Sequence, residues 1–138
     1  MNATNSGEDT PAEFNLEVPE DVLALAESFH NEWCNGGLSQ LFGNWFPADV
    51  ALLPEGLRAI GATEAAAIVG SAIAELGPRS QWRDKGHDAL INPSSPLRQK
   101  LWDMDGDLAK HSDRLQQLIA SYELKLSEAA DDDAHDSH

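Results

Sequence analysis

The chain has 138 residues, 41% of them hydrophobic, and its formal net charge of −15 comes from 24 acidic and nine basic residues. Its length and apolar content favour one folded domain with a modest core and exclude wholesale disorder. The negative charge repels nucleic acid and anionic membranes, and no cluster of Lys and Arg exists that could neutralise DNA phosphates. No apolar run approaches the roughly 20 residues that a membrane span needs.

The acidic residues are concentrated at the two ends of the chain. Residues 1–21 hold six acids, residues 127–138 hold five, and neither segment has a base, so residues 22–126 carry 13 acids against nine bases. Both ends are polar and lack hydrophobic periodicity. We therefore predict disordered acidic segments at 1–18 and 127–138, with a helical domain over 19–126.

The first predicted helix begins at Pro19, because proline suits the first helical turn and the two acids that follow suit the positive end of the helix dipole. The turn Asn35-Gly36-Gly37 should end it, since glycine readily adopts the left-handed backbone that closes helices. A shorter helix is predicted from about Leu38 to Trp45. The apolar face of the first helix repeats every three or four positions, at Val22, Leu25, Ala26, Phe29 and Trp33.

Two further helices are predicted in the middle of the chain. Residues 50–60 suggest a short helix with Gly61 after it. Residues 63–76 show a clear helical repeat of apolar residues, with Thr63 as the predicted cap and Gly77-Pro78 as the end.

The last third of the chain is predicted to be a loop followed by helices. Residues 79–96 contain two prolines, a glycine and several polar residues, so we predict mostly loop there. A helical stretch near 97–104 leads to a strongly amphipathic helix over 115–126. No segment alternates with period two, so the predicted fold is all-α, an irregular bundle of five or six helices. Its predicted core is Leu25, Phe29, Trp33, Phe42, Ile68, Val69, Ile73, Leu118, Ile119 and Tyr122.

A search for catalytic and metal-binding patterns returns none. Residues 103–107 superficially resemble a calcium loop, but the glycine falls fourth and the twelfth residue is Arg114, where that loop requires Glu. The five histidines make no ligand pair, and no phosphate-binding or nucleophile motif is present. We expect no enzyme activity, no cofactor and no metal.

The single cysteine, Cys34, lies at a predicted helix end and is expected to be a core thiol, because a helix C-terminus does not activate a thiolate. It cannot form an internal disulfide. Together with an N-terminus that has neither a basic nor an apolar stretch, this favours the cytoplasm.

The four tryptophans are the candidate anchors for a protein interface. Trp33 and Trp102 are expected to pack in the core, and Trp45 either packs or joins an exposed aromatic patch. Trp82 lies in the predicted polar loop beside arginines, a combination typical of interface anchors, although loop tryptophans also fold back onto the core.

Three blocks of the sequence resemble the bacterial DNA-mimic protein family, largely catalogued as a domain of unknown function. The stretch 35–44, NGGLSQLFGN, is similar to the family signature Asn-Gly-Gly-Phe-x-Gln-Phe-Phe-x-Asn, and the matching structural residues are Asn35, Gly36, Gly37, Phe42 and Asn44. The stretch 57–62 with the following helix resembles the next block. Residues 102–105 and 115–122 resemble the closing blocks, so the likeness covers roughly 21–126.

The resemblance implies an all-helical protein that presents carboxylates in place of DNA phosphates to a basic protein, such as a DNA-binding regulator. The net negative charge predicts no direct contact with nucleic acid or membrane, and the resemblance is compatible with a homodimer. The alternatives are an immunity protein that neutralises a basic toxin, and a small-ligand-binding protein or enzyme that uses residues 35–44. The residues predicted to bind the partner are Asp103, Asp105, Asp107, Asp113 and Trp82.

Overall fold

The computed structural model describes residues 10–136, and the surroundings of their side chains as far as residue 130. These residues form six α-helices and no strand, which confirms the predicted all-α class. The helices are α1 (Pro19–Asn44), α2 (Pro47–Ala59), α3 (Thr63–Ala74), α4 (Trp82–Ile91), α5 (Pro96–Ala109) and α6 (Ser112–Asp136), with a 3₁₀ turn at Arg79–Gln81.

Helix α1 is the central element, since it packs against α2, α4, α5 and α6. It begins at Pro19 as predicted. At Gly37 the backbone leaves the helical region, with φ 75° and ψ −172°, so α1 consists of two arms joined by a sharp kink. A positive φ of this kind is favourable only for glycine, which confirms that this glycine connects two helical segments.

The core lies between α1 and the helices around it. Leu25, Phe29, Phe42 and Val69 of the predicted core are fully buried. The other six predicted residues are partly buried and pack against that core: Trp33, Ile68, Ile73, Leu118, Ile119 and Tyr122. The core also includes buried leucines that the sequence analysis did not select, among them Leu38, Leu41, Leu53 and Leu101.

Two helix starts differ from the predictions. Helix α2 begins at Pro47, three residues before the predicted 50, because proline is well suited to the first turn. Thr63 is the first residue of α3 and not its cap, and its hydroxyl donates to Glu64 Oε1 at 3.3 Å. The backbone amide and this hydroxyl lower the pKa of Glu64.

The prediction of mostly loop at 79–96 is wrong. Apart from a few linking residues, this region forms the 3₁₀ turn, helix α4 and the start of α5. The composition is polar because α4 contributes only a narrow face, Trp82, Gly86 and Ala89, to the core. The helix packs more extensively against α1 than any other pair of helices, so tertiary contact supports a segment whose own helical preference is weak.

Part of the acidic N-terminal segment that was predicted to be disordered packs onto the domain. Phe14 stacks on Trp45 with ring centroids 6.1 Å apart, and Leu16 lies against the core. The carboxylate of Asp49, which is only 3% exposed, accepts the backbone amides of Glu13 at 2.8 Å and Phe14 at 3.3 Å. The polar composition of 1–18 conceals these two apolar residues. Residues 1–9 lie outside the described part of the chain.

Most of the acidic C-terminal segment is helical, where the sequence predicted disorder. Helix α6 starts at Ser112 and its backbone remains helical as far as Asp136, through ten residues that were predicted to be disordered. A helix already nucleated by the packed stretch 112–126 needs only one hydrogen bond for each residue that it adds. The side chains at 127–130 are exposed. Residues 137–138 lie outside the described part.

Candidate acidic interaction surface

The four predicted partner-binding acids lie on α5 and at the start of α6, but they do not all face outwards. Asp103 and Asp107 are exposed on α5, one helical turn apart, and Asp113 is exposed in the first turn of α6. Asp105 is half-buried beneath them. We define Asp103, Asp107 and Asp113 as the α5–α6 carboxylates.

Asp105 binds α1 at its kink. Its Oδ1 accepts the indole N–H of Trp33 at 3.0 Å and the backbone N–H of Leu38, the first residue beyond Gly37, at 2.9 Å. Burial raises the pKa of Asp105, while these two hydrogen bonds act in the opposite direction. Its carboxylate is therefore directed at the protein itself and is not available as a surface charge.

The α5–α6 carboxylates differ in how far their charge is compensated. Asp103 accepts a hydrogen bond from the neutral side chain of Gln99 at 3.0 Å. Asp107 lies 3.5 Å from Lys110 in an exposed pair, which water and salt screen strongly. Two carboxylates four residues apart on a helix are separated by about 6 Å along its axis. That rise is close to two nucleotide steps along one DNA strand, at about 3.4 Å each.

The structure places two tryptophans differently from the predictions. Trp82 is only 9% exposed, and its indole N–H donates to the carbonyl of Gly77 at 2.9 Å, so it is part of the core. Trp102, which was expected to pack, is 63% exposed. The sequence contains the signal for this outcome, because Leu97, Leu101, Met104 and Leu108 define the inner face of α5 and Trp102 lies about 100° away from it.

The signature stretch 35–44 is occupied by contacts within the domain. Phe42 is fully buried, and Asn44 donates to Glu32 Oε2 at 2.7 Å. Gln40 donates to the same oxygen at 3.0 Å. Asn35 is exposed. These contacts connect the two arms of α1 on either side of Gly37, which gives the stretch a role in the shape of the helix.

The expectation that Cys34 packs in the core is wrong. Its side chain is exposed, and its sulfur lies 3.6 Å from Nε2 of His30. Cys34 follows Trp33 in α1, so it lies about 100° around the helix from the side that packs on the core.

The described residues contain no group of three or more His, Cys, Asp or Glu side chains arranged to hold a metal ion. None of the helices within 10–136 combines the length and apolar content that a membrane crossing requires. A shallow groove of about 530 Å³ lies between α1 and α6 and includes Glu27, His30 and Glu123.

Most of the negative charge lies on the described part of the chain. Only Glu8 and Asp9 precede it, so 22 acids and all nine bases fall within residues 10–136, a net charge of −13. This differs from the −4 of residues 22–126, because the packed N-terminal segment and the helical end of α6 add acids and no bases.

An all-helical fold with a large excess of carboxylates over cations defines an acidic helical protein. A family model described as DMP19-like protein matches residues 15–133, and the chain therefore belongs to the DMP19-like protein family. Neither a curated protein nor a solved structure matched the chain.

Proposed function

We propose that this protein is an acidic interaction module that occupies the nucleic-acid-binding surface of a basic protein, as a DNA mimic does. The observation that carries the proposal is the charge of the folded part, −13 over residues 10–136, in a member of the DMP19-like family. A basic groove that binds DNA is attracted to such a field.

The α5–α6 carboxylates are the proposed contact residues. They are exposed, they lie on a helix and at the start of the next one, and α5 is joined to α1 through Asp105. Carboxylates on packed helices keep their spacing, whereas those on a flexible tail do not. They therefore offer geometry in addition to charge, which a protein that reads DNA phosphates requires.

The proposal differs in its expected behaviour from simple attraction between opposite charges. A mimic competes with duplex DNA for one site, so DNA displaces it more effectively than an unstructured polyanion of equal charge. A general electrostatic attractor is displaced equally by both. An immunity protein for a basic toxin would resist DNA unless the toxin itself binds nucleic acid.

The test is capture of partners on the immobilised full-length chain from a lysate of its source organism, at low and high salt. Bound proteins are eluted with duplex DNA and, in parallel, with polyglutamate at equal charge concentration. We expect DNA to release a basic nucleic-acid-binding protein that polyglutamate leaves bound. Release by both polyanions alike, or capture of no nucleic-acid-binding protein, would contradict the proposal.

A pair of matched variants tests the surface. In one, Asp103, Asp107 and Asp113 are changed to Asn. In the control, three exposed acids elsewhere are changed to Gln: Glu17, Glu27 and Glu55. Both variants have the same net charge, −12 where the natural chain has −15. We expect faster dissociation of the captured partner from the first variant only, since contact charges govern dissociation and distant ones govern association. Equal effects would show that overall charge alone is responsible.

A further inference from the structure

Next to the α5–α6 carboxylates lies an exposed apolar surface that charge alone does not explain. It consists of Trp102 on α5 and Leu90 at the end of α4, which are 63% and 38% exposed and line the same depression. Large apolar side chains grouped at a surface mark interaction sites more often than scattered ones do. We call these two residues with Arg98 the Trp102 patch.

Arg98 connects the two helices of the patch. Its guanidinium lies 5.8 Å from the centre of the Trp102 ring, and its Nη1 donates to the carbonyl of Leu90 at 3.5 Å. A shallow depression of about 70 Å³ lies alongside, between these residues and Gly36 and Ser39 of α1. Arg98 thus contacts both the indole of Trp102 on α5 and the backbone at the end of α4.

The face of α5 beyond Trp102 is uncovered. Gly106 lies one turn further on, and a Cβ atom added there would meet nothing within 4 Å. A partner can therefore approach the indole along this side of the helix. A tryptophan offers about 150–250 Å² for burial, which makes it a strong interface anchor when a neighbouring surface excludes water.

The charges around the patch indicate the chemistry of the partner. Asp103, the residue after Trp102, is exposed, and so is Asp107, which lies one turn further along the same helix. Among the described residues that line the depression, Arg98 is the only cation, and it is engaged with the indole and the Leu90 carbonyl. A second copy of this chain would bring the same carboxylates face to face in a symmetric contact. A cationic surface matches them.

We propose that the Trp102 patch is the apolar anchor for a basic protein partner, and that it receives an apolar side chain or pocket flanked by Lys or Arg. This rests on the proposed function, because the partner that the α5–α6 carboxylates attract is the one that Trp102 holds. Charge brings the partner to the surface, and desolvation of the indole slows its release.

The test uses two synthetic helical peptides of about 18 residues as probes. Both carry the same number of Lys and Arg on one face, and the opposite face is Leu in one peptide and Ser in the other. Their affinities for the full-length chain are measured by calorimetry at two salt concentrations. The variants are Trp102→Ala, Gly106→Gln, which places a side chain beside the intact indole, and Leu124→Ala as a control with an apolar side chain of matching exposure, 60%.

We expect the Leu peptide to bind the natural chain at least about 10-fold more tightly than the Ser peptide. Trp102→Ala and Gly106→Gln should each remove most of this preference and leave the Ser peptide unaffected, while Leu124→Ala keeps it. Changing Asp103, Asp107 and Asp113 to Asn should weaken both peptides.

Equal affinity for the two peptides, or a preference that survives both Trp102→Ala and Gly106→Gln, would overturn the proposed role of the Trp102 patch. The proposed role of the α5–α6 carboxylates would be unaffected by that result. If neither peptide binds the natural chain, the proposed function fails with it. Sedimentation of the free protein tests whether a second copy of the chain occupies the patch instead of a basic partner. Self-association that Trp102→Ala abolishes would assign the patch to that second copy and overturn the proposal.

Discussion

At the scale of the residue, Asp105 shows how a charged side chain can be misread from composition. It lies among Asp103, Asp107 and Asp113, in a stretch that reads as a solvated acidic surface. Yet Asp105 is four residues after Leu101, so helical spacing turns it towards the protein. There it accepts hydrogen bonds from Trp33 and Leu38, and it holds the α1 kink against α5.

Replacing Asp105 should destabilise the fold through those two donors. In Asp105→Ala both N–H groups lose their acceptor, and a buried unsatisfied donor costs about 1–3 kcal/mol. Asp105→Asn retains an acceptor oxygen and should cost less than Asp105→Ala. Urea unfolding of both variants measures the difference, with Asp103→Ala as an exposed control expected within about 0.5 kcal/mol of the natural chain. Equal losses for Asp103→Ala and Asp105→Ala would refute the structural role.

Asp105 should also give stability an unusual pH dependence. Burial raises the pKa of this carboxyl above its ordinary value, so the folded state takes up a proton at a higher pH than the unfolded state does. The contribution of Asp105 to stability is thus fully present below the unfolded pKa, and it is lost as pH rises through the folded pKa.

The measurement is the unfolding free energy of the natural chain minus that of Asp105→Asn, followed from neutral pH down to about pH 4. Because Asn does not titrate, this difference isolates Asp105. It should shift in favour of the natural chain as pH falls. A flat difference, or a shift towards the Asn variant, would show that burial does not dominate at this site.

At the scale of the element, helix α4 depends on close contact with α1. Gly86 lies against the backbone of the second arm of α1, where an added Cβ would come within 2.7 Å of the Phe42 carbonyl carbon and 2.9 Å of Gly43 Cα. Backbone atoms cannot move aside as a side chain does. This approach of two helices explains why a glycine lies in the middle of α4, a position where glycine alone lowers helix stability.

Two Gly→Ala substitutions separate packing from helix propensity. Gly86→Ala should destabilise the fold by about 1–3 kcal/mol, because α4 must move away from α1. Gly106→Ala, on α5 with open space around it, should raise stability by about 0.5–1 kcal/mol through helix propensity alone. Thermal and urea unfolding of both variants test this pair. A Gly86→Ala protein as stable as Gly106→Ala would mean that α4 does not approach α1 so closely.

At the scale of the whole molecule, the two acidic ends differ in their contacts with the core of the helical domain. Phe14, Leu16 and the Asp49 hydrogen bonds attach the N-terminal segment to α1 and α2. The stretch 127–130 of α6 is exposed, and the helix there extends past the residues that pack on α1. Charge is added at both ends, but only one of them has described contacts with the core.

Truncation should distinguish these ends. Deletion of 127–138 should leave the unfolding free energy within about 0.5 kcal/mol of the full chain, as for exposed surface changes. Deletion of 1–18 should cost about 2–4 kcal/mol, because Phe14 and Leu16 lose their burial. Chemical unfolding checks both, and a shorter deletion of 1–9, which removes two acids and keeps Phe14 and Leu16, serves as the control. Comparable losses of unfolding free energy in the two deletion variants would contradict this difference between the two ends and the proposed domain boundary at 126.

The sequence by itself determined the helical class, the kink at Gly37, most inward-facing positions of α1, α3 and α6, and the excess of negative charge. These follow from local periodicity, from the backbone freedom of glycine and from counting. Helical spacing on α5 also places Trp102 outside and Asp105 inside, once the inner face of that helix is recognised. Tertiary structure decided that 82–91 is a helix, that Phe14 and Leu16 pack, and that Asp105 accepts hydrogen bonds from α1. Each of these outcomes depends on contacts between residues far apart in the chain, such as Gly86 with Gly43 or Asp105 with Leu38, and no local pattern contains them.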